Sequence, residues 1–262
     1  HPDRVVVGAA PEHAEAGDIV SALYEPLGGE IVRTDVSSAE MIKLASNAYL
    51  ATRISFINEI ANVCEEVGAD VGEVARGMGL DSRIGPHFLR PGIGYGGSCF
   101  PKDVSALKLL AGNSGYHFQL LNSVIEVNEL QKRRVVSKLS KHLGTLVGKR
   151  VALLGLAFKP ETDDMREASS LVLSARLRGE GAEVVAYDPV AMDAARNLLP
   201  GVELTDTVMA ALDNADAAVL VTEWPEFLDI DWIEARSRMV HPLVIDGRNY
   251  LDAEILRKAG FA

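Results

Sequence analysis

The sequence predicts an α/β protein, in which an all-helical central region is followed by a doubly wound parallel-sheet domain of the Rossmann-like type. The stretch Ala39–Val67 contains neither glycine nor proline, which favours one long helix. From Gly148 onward, short apolar runs alternate with helical patterns, as in a parallel sheet with crossover helices. These observations divide the chain into three parts, residues 1–36, 37–147 and 148–262.

The first part has one strand–helix–strand pattern. We predict strands at Arg4–Gly8 and Glu30–Thr34, with a helix over Ala14–Leu23 between them. Two strands cannot form a covered parallel sheet, so we expect the edge of a larger α/β sheet. The chain opens at His1 with no methionine and no charged-then-apolar leader. We therefore expect a piece of a longer, cytoplasmic protein.

The second part is predicted to be helical, with one long irregular loop. Ser37-Ser38 followed by Glu40 is typical of a helix N-cap. Helices are predicted over residues 39–67, 71–78, 104–111 and 118–143. The loop 81–101 contains three prolines and five glycines and is of the kind that carries function. Long helices with apolar faces also predict a homodimer or a higher homo-oligomer.

The third part alternates strands and helices. Strands are predicted at Arg150–Gly155, Glu183–Tyr187, Ala217–Val221 and Leu243–Ile245. Helices are predicted near Ser169–Arg178, Met192–Leu198, Met209–Leu212, Trp232–Ser237 and Ala253–Lys258. Because ligands of such sheets bind at the carboxyl ends of the strands, functional side chains are expected there.

Composition argues against several classes of partner. The chain has 26 Lys and Arg against 37 Asp and Glu, a net charge of −11, which disfavours binding to nucleic acid or to an anionic membrane. A small phosphorylated ligand is compatible with this balance because it needs only a few local cations. Two cysteines do not make a disulfide framework, no apolar run is long enough to span a bilayer, and no metal site is predicted.

The strongest functional signal is the run from Gly92 to Asp103, Gly-Ile-Gly-Tyr-Gly-Gly-Ser-Cys-Phe-Pro-Lys-Asp. Its glycines let the backbone approach a ligand closely, and Pro101 suits the first position of the following helix. Cys99 would then lie just before that helix, under the partial positive charge of its N-terminus and near Lys102. Such surroundings lower a thiol pKa to roughly 3.5–7.5. Cys99 is therefore a candidate nucleophile, and the alternative is a small cysteine that ends a turn.

Lys43 and Asn47 form a second candidate pair. They are four residues apart on the first long helix and share a face with small and apolar neighbours. A cation and an amide there could hold a developing oxyanion, although both could also be ordinary surface residues. Cys64, within the same helix and with no glycine near it, is interpreted as a core residue.

The turn after the first strand of the third part contains Gly155 without a G-x-G-x-x-G sequence, which is weak evidence for dinucleotide binding. Lys159 and Arg166 lie in the same turn, and Arg248 follows the last strand. Each cation alone could be a solvated surface charge. Three cations at one edge of an acidic protein favour a polyphosphate site.

Together these motifs resemble a known family. The Gly-Gly-Ser-Cys-Phe-Pro-Lys-Asp run, the Lys43–Asn47 helix, the Ala-Phe-Lys-Pro turn with its following Thr-Asp-Asp and Arg, and the Asp-Gly-Arg turn are similar to the UDP-glucose dehydrogenase family. The likeness covers that family's central and C-terminal domains, from about Ser37 to the end. Residues 1–36 resemble only the tail of its NAD-binding domain, and the G-x-G-x-x-G sequence and the catalytic Thr and Glu of that domain are missing here.

The resemblance implies oxidation of the C6 alcohol of a UDP-sugar to a carboxylate, with two NAD⁺ in turn. Cys99 would match the family nucleophile, which forms a thiohemiacetal and then a thioester. By similarity Lys43 and Asn47 would stabilise the oxyanion, and Asp103 would handle water and protons. The other implied contacts are Phe88, Leu89, Gly92, Tyr95 and Gly96 with sugar and diphosphate, Lys159 and Arg248 with UDP, Arg83 with a neighbouring subunit's site, and Lys102 and Arg166 with NAD.

Three interpretations stay open. The first is a dehydrogenase of UDP-glucose, and the second is a dehydrogenase of another nucleotide sugar, such as GDP-mannose or a UDP-N-acetylhexosamine. The motif from Tyr95 to Pro101 favours the first, since the resemblance implies that the others vary around the cysteine. The third is a non-catalytic module that binds a nucleotide sugar and oligomerises. Without a complete NAD domain, we expect these 262 residues to bind UDP-sugar weakly and to turn nothing over.

Overall fold

The chain begins with a two-stranded parallel sheet. In the computed structural model, which describes residues 1–262, β1 (Arg4–Gly8) pairs with β2 (Glu30–Thr34), and α1 (Ala14–Tyr24) connects them. Short 3₁₀ turns at Pro11–His13 and Glu25–Leu27 flank the helix. The strands have the predicted bounds, and the sequence did not indicate the two 3₁₀ turns.

Four helices form the central region: α2 (Val36–Val67), α3 (Val71–Gly79), α4 (Phe100–Asn113) and α5 (Gln119–Leu143). Helix α2 packs against both α4 and α5. Between them lies a cluster of seven buried apolar residues, Ala48, Ala51, Tyr95, Val104, Leu107, Leu121 and Val124. One of these, Tyr95, comes from the long loop between α3 and α4, so the loop is part of the helical core.

Two helix starts differ from the sequence prediction by more than one residue. The N-cap predicted at Ser37-Ser38 was wrong, because α2 begins at Val36 and Asp35 is its cap. The Asp35 carboxylate accepts hydrogen bonds from the backbone N–H and the hydroxyl of Ser38, at 2.8 and 2.6 Å. A carboxylate also suits the positive end of a helix. Helix α4 begins at Phe100, which moves Pro101 to the second helical position, where its missing N–H is equally harmless.

The last part of the chain is a five-stranded, all-parallel sheet. Its strands are β3 (Arg150–Leu154), β4 (Glu183–Tyr187), β5 (Glu203–Leu204), β6 (Ala217–Leu220) and β7 (Val244–Asp246). The intervening helices are α6 (Ser169–Gly179), α7 (Met192–Leu198), α8 (Val208–Leu212) and α9 (Trp232–Arg238), and α10 (Ala253–Lys258) follows β7. Strand β5 has only two residues and left no pattern in the sequence.

The strand order β5-β4-β3-β6-β7 confirms the predicted doubly wound domain. The chain moves outward from β3 to β5 and then returns to β6 on the other side of β3, so the order reverses between β3 and β6. Ligands of such sheets bind at this point, outside the carboxyl ends of the strands. Val135 and Leu139 of α5 belong to the same apolar core as the strands, which fixes the helical region against the sheet. No helix has both the length and the apolar character required to cross a membrane.

Candidate active site

Two helices bring three donor side chains together around one carboxylate. Lys43 Nζ and Asn47 Nδ2, on α2, lie 2.8 and 2.5 Å from Asp103 Oδ2, in the first turn of α4. Lys102 Nζ lies 3.3 Å from the other oxygen, Oδ1. We call these four residues the Asp103 cluster. The sequence singled out each of them but did not indicate that they contact one another.

Asp103 is held in its charged form. Burial of its side chain, which is 6% exposed, acts to raise the pKa, but hydrogen bonds from Lys43, Asn47 and Lys102 outweigh burial and hold the pKa of Asp103 below its usual range. Lys43 is 61% exposed, and only one of its three N–H donors is needed for the carboxylate. The Asp103 cluster therefore combines an ionised acceptor with donors that a ligand can still reach.

Cys99 occupies the N-cap of α4 and is exposed. Its Sγ lies 3.7 Å from Ser98 Oγ, and the helix N-terminus presents a partial positive charge to this position. The N–H of Gly97 donates to the carbonyl oxygen of Arg166 at 2.8 Å, so the turn that carries this cation packs against the loop two residues before Cys99. A helix N-terminus and a cation are typical surroundings of a reactive cysteine. Cys64, by contrast, is buried in α2.

The glycine-rich loop before α4 is folded tightly against the rest of the protein. The Gly92 N–H donates to Asn58 Oδ1 at 2.7 Å. Gly96 lies so close to the segment between β3 and α6 that a Cβ atom would be 2.2 Å from the carbonyl oxygen of Glu167. The sequence suggested that these glycines admit a ligand, whereas their closest contacts are with the protein itself. Because these glycines have no side chain, the loop can pack directly against the neighbouring backbone, which fixes its position.

A cavity of about 290 Å³ opens between this loop and the carboxyl ends of β3, β6 and β7. Six of the residues that the resemblance connected with the substrate line it: Phe88, Gly92, Tyr95, Gly96, Lys159 and Arg248. Lys159 follows β3 and Arg248 follows β7, so two of the three cations expected at one edge of the sheet line the same space. Arg90 adds a third cation to the lining. We call this space the cation cavity.

Arg248 is fixed in the wall of the cation cavity. Its Nε donates to Val221 O at 2.6 Å and its Nη1 to Gly94 O at 3.0 Å, so it joins the turn after β6 to the glycine-rich loop. Burial lowers the pKa of Arg248, and the carboxylate of Glu223, with Oε2 3.4 Å from Nε, opposes this effect. An arginine keeps its charge in proteins, so the wall holds a permanent cation.

Besides Cys99 and the Asp103 cluster, three predicted residues lie outside the cation cavity. The side chain of Arg83 is 86% exposed and pairs with Asp81 two residues away. Leu89 is buried in the protein, next to the lining rather than in it. Arg166 pairs with Asp164 through its Nη2 and Nε, on the side of Cys99. The expectation that Arg166 joins the cations of the cavity was therefore wrong, because a local partner holds it.

Sequence reasoning missed two groups of residues. Arg90 and Glu223 line the cation cavity, and Glu223 Oε2 is a buried oxygen with no hydrogen-bond donor. Asn58 and Asn128, both buried, hold the glycine-rich loop, since Asn128 exchanges hydrogen bonds of 2.8 and 3.2 Å with the backbone of Tyr95. An asparagine among apolar residues of a long helix was the signal that could have revealed the second group.

Three larger grooves lie elsewhere, and one of them, of about 430 Å³, lies at the connection between α4 and α5 and has Lys108 in its lining. A second, of about 780 Å³, runs along β1 and α1, and a third, of about 460 Å³, lies between α2 and α5; both are lined mainly by apolar residues. Volume favours these grooves, but phosphate recognition needs cations, and cations converge on the smaller cavity. No group of three or more His, Cys, Asp or Glu side chains is arranged to hold a metal ion.

Comparison with protein families gives two matches along the chain. The central domain of the UDP-glucose/GDP-mannose dehydrogenase family matches residues 37–130, which contain the Asp103 cluster and Cys99. The UDP binding domain of the same family matches residues 152–253, which contain Lys159 and Arg248. Together the two matches cover about three quarters of the chain.

Individual relatives agree with this. UDP-glucose 6-dehydrogenase YwqF of Bacillus subtilis is 50% identical over 250 residues, and UDP-glucose 6-dehydrogenase TuaD of the same organism is 46% identical over 260 residues. These alignments cover 95% and 99% of this chain but only 56% of each relative, so the chain spans a little over half their length. The solved structure of a UDP-glucose dehydrogenase from Pyrobaculum islandicum superposes with a TM-score of 0.90 at 35% identity, over 100% of this chain and 59% of that one. The structure of a UDP-D-ManNAc dehydrogenase from Pyrococcus horikoshii superposes with a TM-score of 0.78 at 31% identity, over 91% of this chain and 55% of that one.

Proposed function

The chain belongs to the UDP-glucose/GDP-mannose dehydrogenase family, and we propose that it forms the UDP-sugar-binding and cysteine-bearing part of an enzyme that oxidises UDP-glucose to UDP-glucuronate. The proposed division follows the three parts of the sequence: residues 1–36 are the tail of an NAD-binding domain, residues 37–147 carry the nucleophile, and residues 148–262 bind the nucleotide. The observation that carries the proposal is the convergence of Lys159 and Arg248 in one cavity, beside the loop that ends at Cys99.

The cation cavity suits a diphosphate. Three cationic side chains face one carboxylate, that of Glu223, so the lining is positive although the whole chain has a net charge of −11. Arg248 is held by backbone carbonyls before any ligand binds, which reduces the entropy that binding must remove. Phe100 lines the cavity and directly follows Cys99, so a sugar attached to the diphosphate would extend toward the thiol.

The proposed covalent chemistry belongs to Cys99. Its thiolate adds to the C6 aldehyde of the oxidised sugar, which forms a C–S bond and turns the carbonyl oxygen into an oxyanion. After oxidation to the thioester, water attacks the same carbon, the C–S bond breaks, and the sulfur leaves as a thiolate. Lys43 and Asn47 each donate one hydrogen bond to Asp103 and retain further N–H donors for the oxyanion. Asp103, ionised and next to Lys43, is the proposed acceptor for the proton of the attacking water.

NAD is the proposed hydride acceptor and supplies the oxidising power when bound. The residues of the α/β domain do not fit a dinucleotide site. The turn after β3 has a single glycine, Gly155, in place of a G-x-G-x-x-G sequence, and Gly155 is packed so closely that a Cβ would be 2.5 Å from Thr222 Cβ. We therefore assign no step of hydride transfer to this domain. Lys102 and Arg166, both exposed beside Cys99, are the contacts with NAD that we propose for this chain.

Calorimetric titration of the 262-residue chain with UDP, UDP-glucose and GDP tests the proposal. We expect UDP and UDP-glucose to bind, and Lys159→Met to weaken UDP about tenfold because a phosphate loses its cation. Lys258→Met, which removes another exposed lysine, from α10, should leave the dissociation constant unchanged. Absence of UDP binding, or equal binding by Lys159→Met and the unchanged chain, would contradict the proposal. Preference for GDP would favour a dehydrogenase of another nucleotide sugar.

A further inference from the structure

Asp188 is a fully buried carboxylate at the carboxyl end of β4, and it does not line the cation cavity. Both of its oxygens are occupied. Oδ1 accepts hydrogen bonds from the backbone N–H groups of Val190 and Ala191, at 2.9 and 2.7 Å. Oδ2 accepts three more, from Leu156 N, Ala157 N and Trp224 Nε1, at 2.6, 3.1 and 3.0 Å.

The donors on Oδ2 come from the two segments that form the sheet side of the cavity. Leu156 and Ala157 follow β3 and lead directly to Lys159. Trp224 follows β6 and is adjacent to Glu223, in the turn whose Val221 carbonyl accepts from Arg248. One carboxylate therefore joins the carboxyl ends of β4, β3 and β6, on either side of the point where the strand order reverses.

The segment between β3 and Lys159 is fixed from its other side as well. Ser170 Oγ donates to Leu156 O at 2.5 Å, and Thr222 Oγ1 donates to Ala157 O at 2.6 Å. With the two N–H groups held by Asp188, the backbone donor and the backbone acceptor of both Leu156 and Ala157 are engaged. Lys159, two residues after Ala157, is exposed, but the backbone that leads to it is held by these hydrogen bonds.

We propose that Asp188 is a positioning residue of the cation cavity, which holds the Lys159 segment and the Glu223–Trp224 turn at the separation that a nucleoside diphosphate requires. The inference rests on the proposed function and adds to it a residue that touches neither substrate nor cofactor. In dinucleotide-binding sheets, an acidic residue downstream of the first turn binds the ribose hydroxyls. Here the five N–H donors use the whole acceptor capacity of Asp188, so it acts on the ligand only through the protein.

Asp188→Asn is the informative variant because it preserves volume. An amide in this place turns one acceptor into a donor, and in either orientation its NH₂ group faces two or more N–H groups. Asp216→Asn is the matched control. Asp216 is also buried and also accepts a backbone N–H, that of Arg150, but it precedes β6 and lies at the opposite end of the sheet.

The experiment measures UDP affinity by calorimetry, thermal stability, and amide hydrogen exchange for both variants of the 262-residue chain. We expect both to lower the melting temperature. Asp188→Asn should raise the dissociation constant for UDP about tenfold or more and speed exchange at Leu156 and Ala157, whereas Asp216→Asn should do neither. Unchanged UDP affinity in folded Asp188→Asn, or equal loss in Asp216→Asn, would overturn the inference.

The experiment distinguishes failure of this inference from failure of the proposed function and from failure of a variant to fold. If the unchanged chain binds no UDP, the proposed function fails, and the exchange rates at Leu156 and Ala157 still decide whether Asp188 anchors the segment. If Asp188→Asn does not fold, Trp224→Phe removes the indole donor to Asp188 and part of the ring volume, but keeps an aromatic ring in the core. That variant should weaken UDP about threefold, and affinity equal to that of the unchanged chain would again overturn the inference.

Discussion

Lys43 Nζ lies 2.8 Å from Asp103 Oδ2, although sixty residues separate the two in the chain. This contact joins the N-terminal part of the first long helix to the first turn of the helix that Cys99 caps. The proposed oxyanion donors and the proposed nucleophile are thus held relative to one another by a charged hydrogen bond. Its strength depends on the ionisation of Asp103.

The pH dependence of stability should reveal this contact. The pKa of Asp103 is lower in the folded chain than its ordinary value of about 3.9. The stabilisation by the carboxylate is therefore complete above that value and is lost as the pH falls through the folded-state pKa. We expect Asp103→Asn to lower the melting temperature at neutral pH, and the difference from the unchanged chain to shrink below about pH 4.

Asp163→Asn is the control for this measurement. Asp163 is an exposed carboxylate in the irregular segment between β3 and α6, outside any helix. Its replacement should change the melting temperature little at any pH. A difference between Asp103→Asn and the unchanged chain that stays constant down to about pH 3 would show that ionisation of Asp103 does not contribute.

The two cysteines should differ in reactivity toward iodoacetamide. Cys99 is exposed at a helix N-terminus, whereas Cys64 is 5% exposed inside α2. Mass spectrometry of the folded chain should therefore show one alkylated thiol at neutral pH. Cys99→Ser should abolish labelling, and Cys64→Ser should leave it unchanged. Labelling of Cys64 at the same rate would contradict the assigned environments.

Gly96 tests whether the glycine-rich loop must contact the α/β domain closely. A Cβ there would lie 2.2 Å from the Glu167 carbonyl oxygen, which is backbone and cannot rotate away. Gly96→Ala should lower the melting temperature and weaken UDP binding, because the loop and the domain have to separate. Gly112→Ala is the control, since a Cβ at this exposed position in α4 meets nothing, and it should stabilise the chain by up to about 1 kcal/mol. Tight UDP binding by Gly96→Ala would contradict the proposed role of the contact.

The sequence allowed part of this site to be predicted, for physical reasons. Lys159 and Arg248 could be placed at one edge because the ends of parallel strands lie together whatever the side chains do. The position of Arg166 could not be predicted, because its guanidinium pairs with Asp164 two residues earlier in the chain, and periodicity does not reveal such a local ion pair. Arg90 and Glu223 escaped notice because one lies in an irregular loop and the other in a short turn.

Contacts between helices that are far apart in the chain could not be predicted from the sequence either. That Asp103 faces Lys43 depends on how α4 crosses α2, and the spacing of residues along one helix does not contain that angle. The same holds for Asn128, whose partner Tyr95 lies in a loop with no regular pattern. The predicted helices and strands, in contrast, followed from local periodicity and differ from the structure mainly at their ends.

Exposed apolar residues on α2 predict self-association. Tyr49, Phe56 and Val63 are seven residues apart, lie on one stripe of the helix, and are 62%, 51% and 57% exposed. Such a stripe is typical of helix–helix contacts between subunits. We expect a homodimer by light scattering, and Val63→Glu should shift it to the monomer. Leu109→Glu, at a residue of α4 that is 64% exposed, is the control and should leave the dimer intact. A monomeric unchanged chain would contradict the prediction.

Arg248→Lys separates the charge of the cation cavity from its geometry. Arg248 uses two different nitrogens to reach Val221 O and Gly94 O, at 2.6 and 3.0 Å, and a lysine ammonium on a flexible stem cannot hold both carbonyls and still face the cavity. We expect the dissociation constant for UDP to rise about tenfold and the melting temperature to fall. Arg196→Lys, on α7, where the arginine is 62% exposed and pairs only with Asp193, should change neither. If Arg248→Lys binds UDP as tightly as the unchanged chain, a single positive charge is sufficient, and the link between the loop and the turn after β6 is not needed for binding.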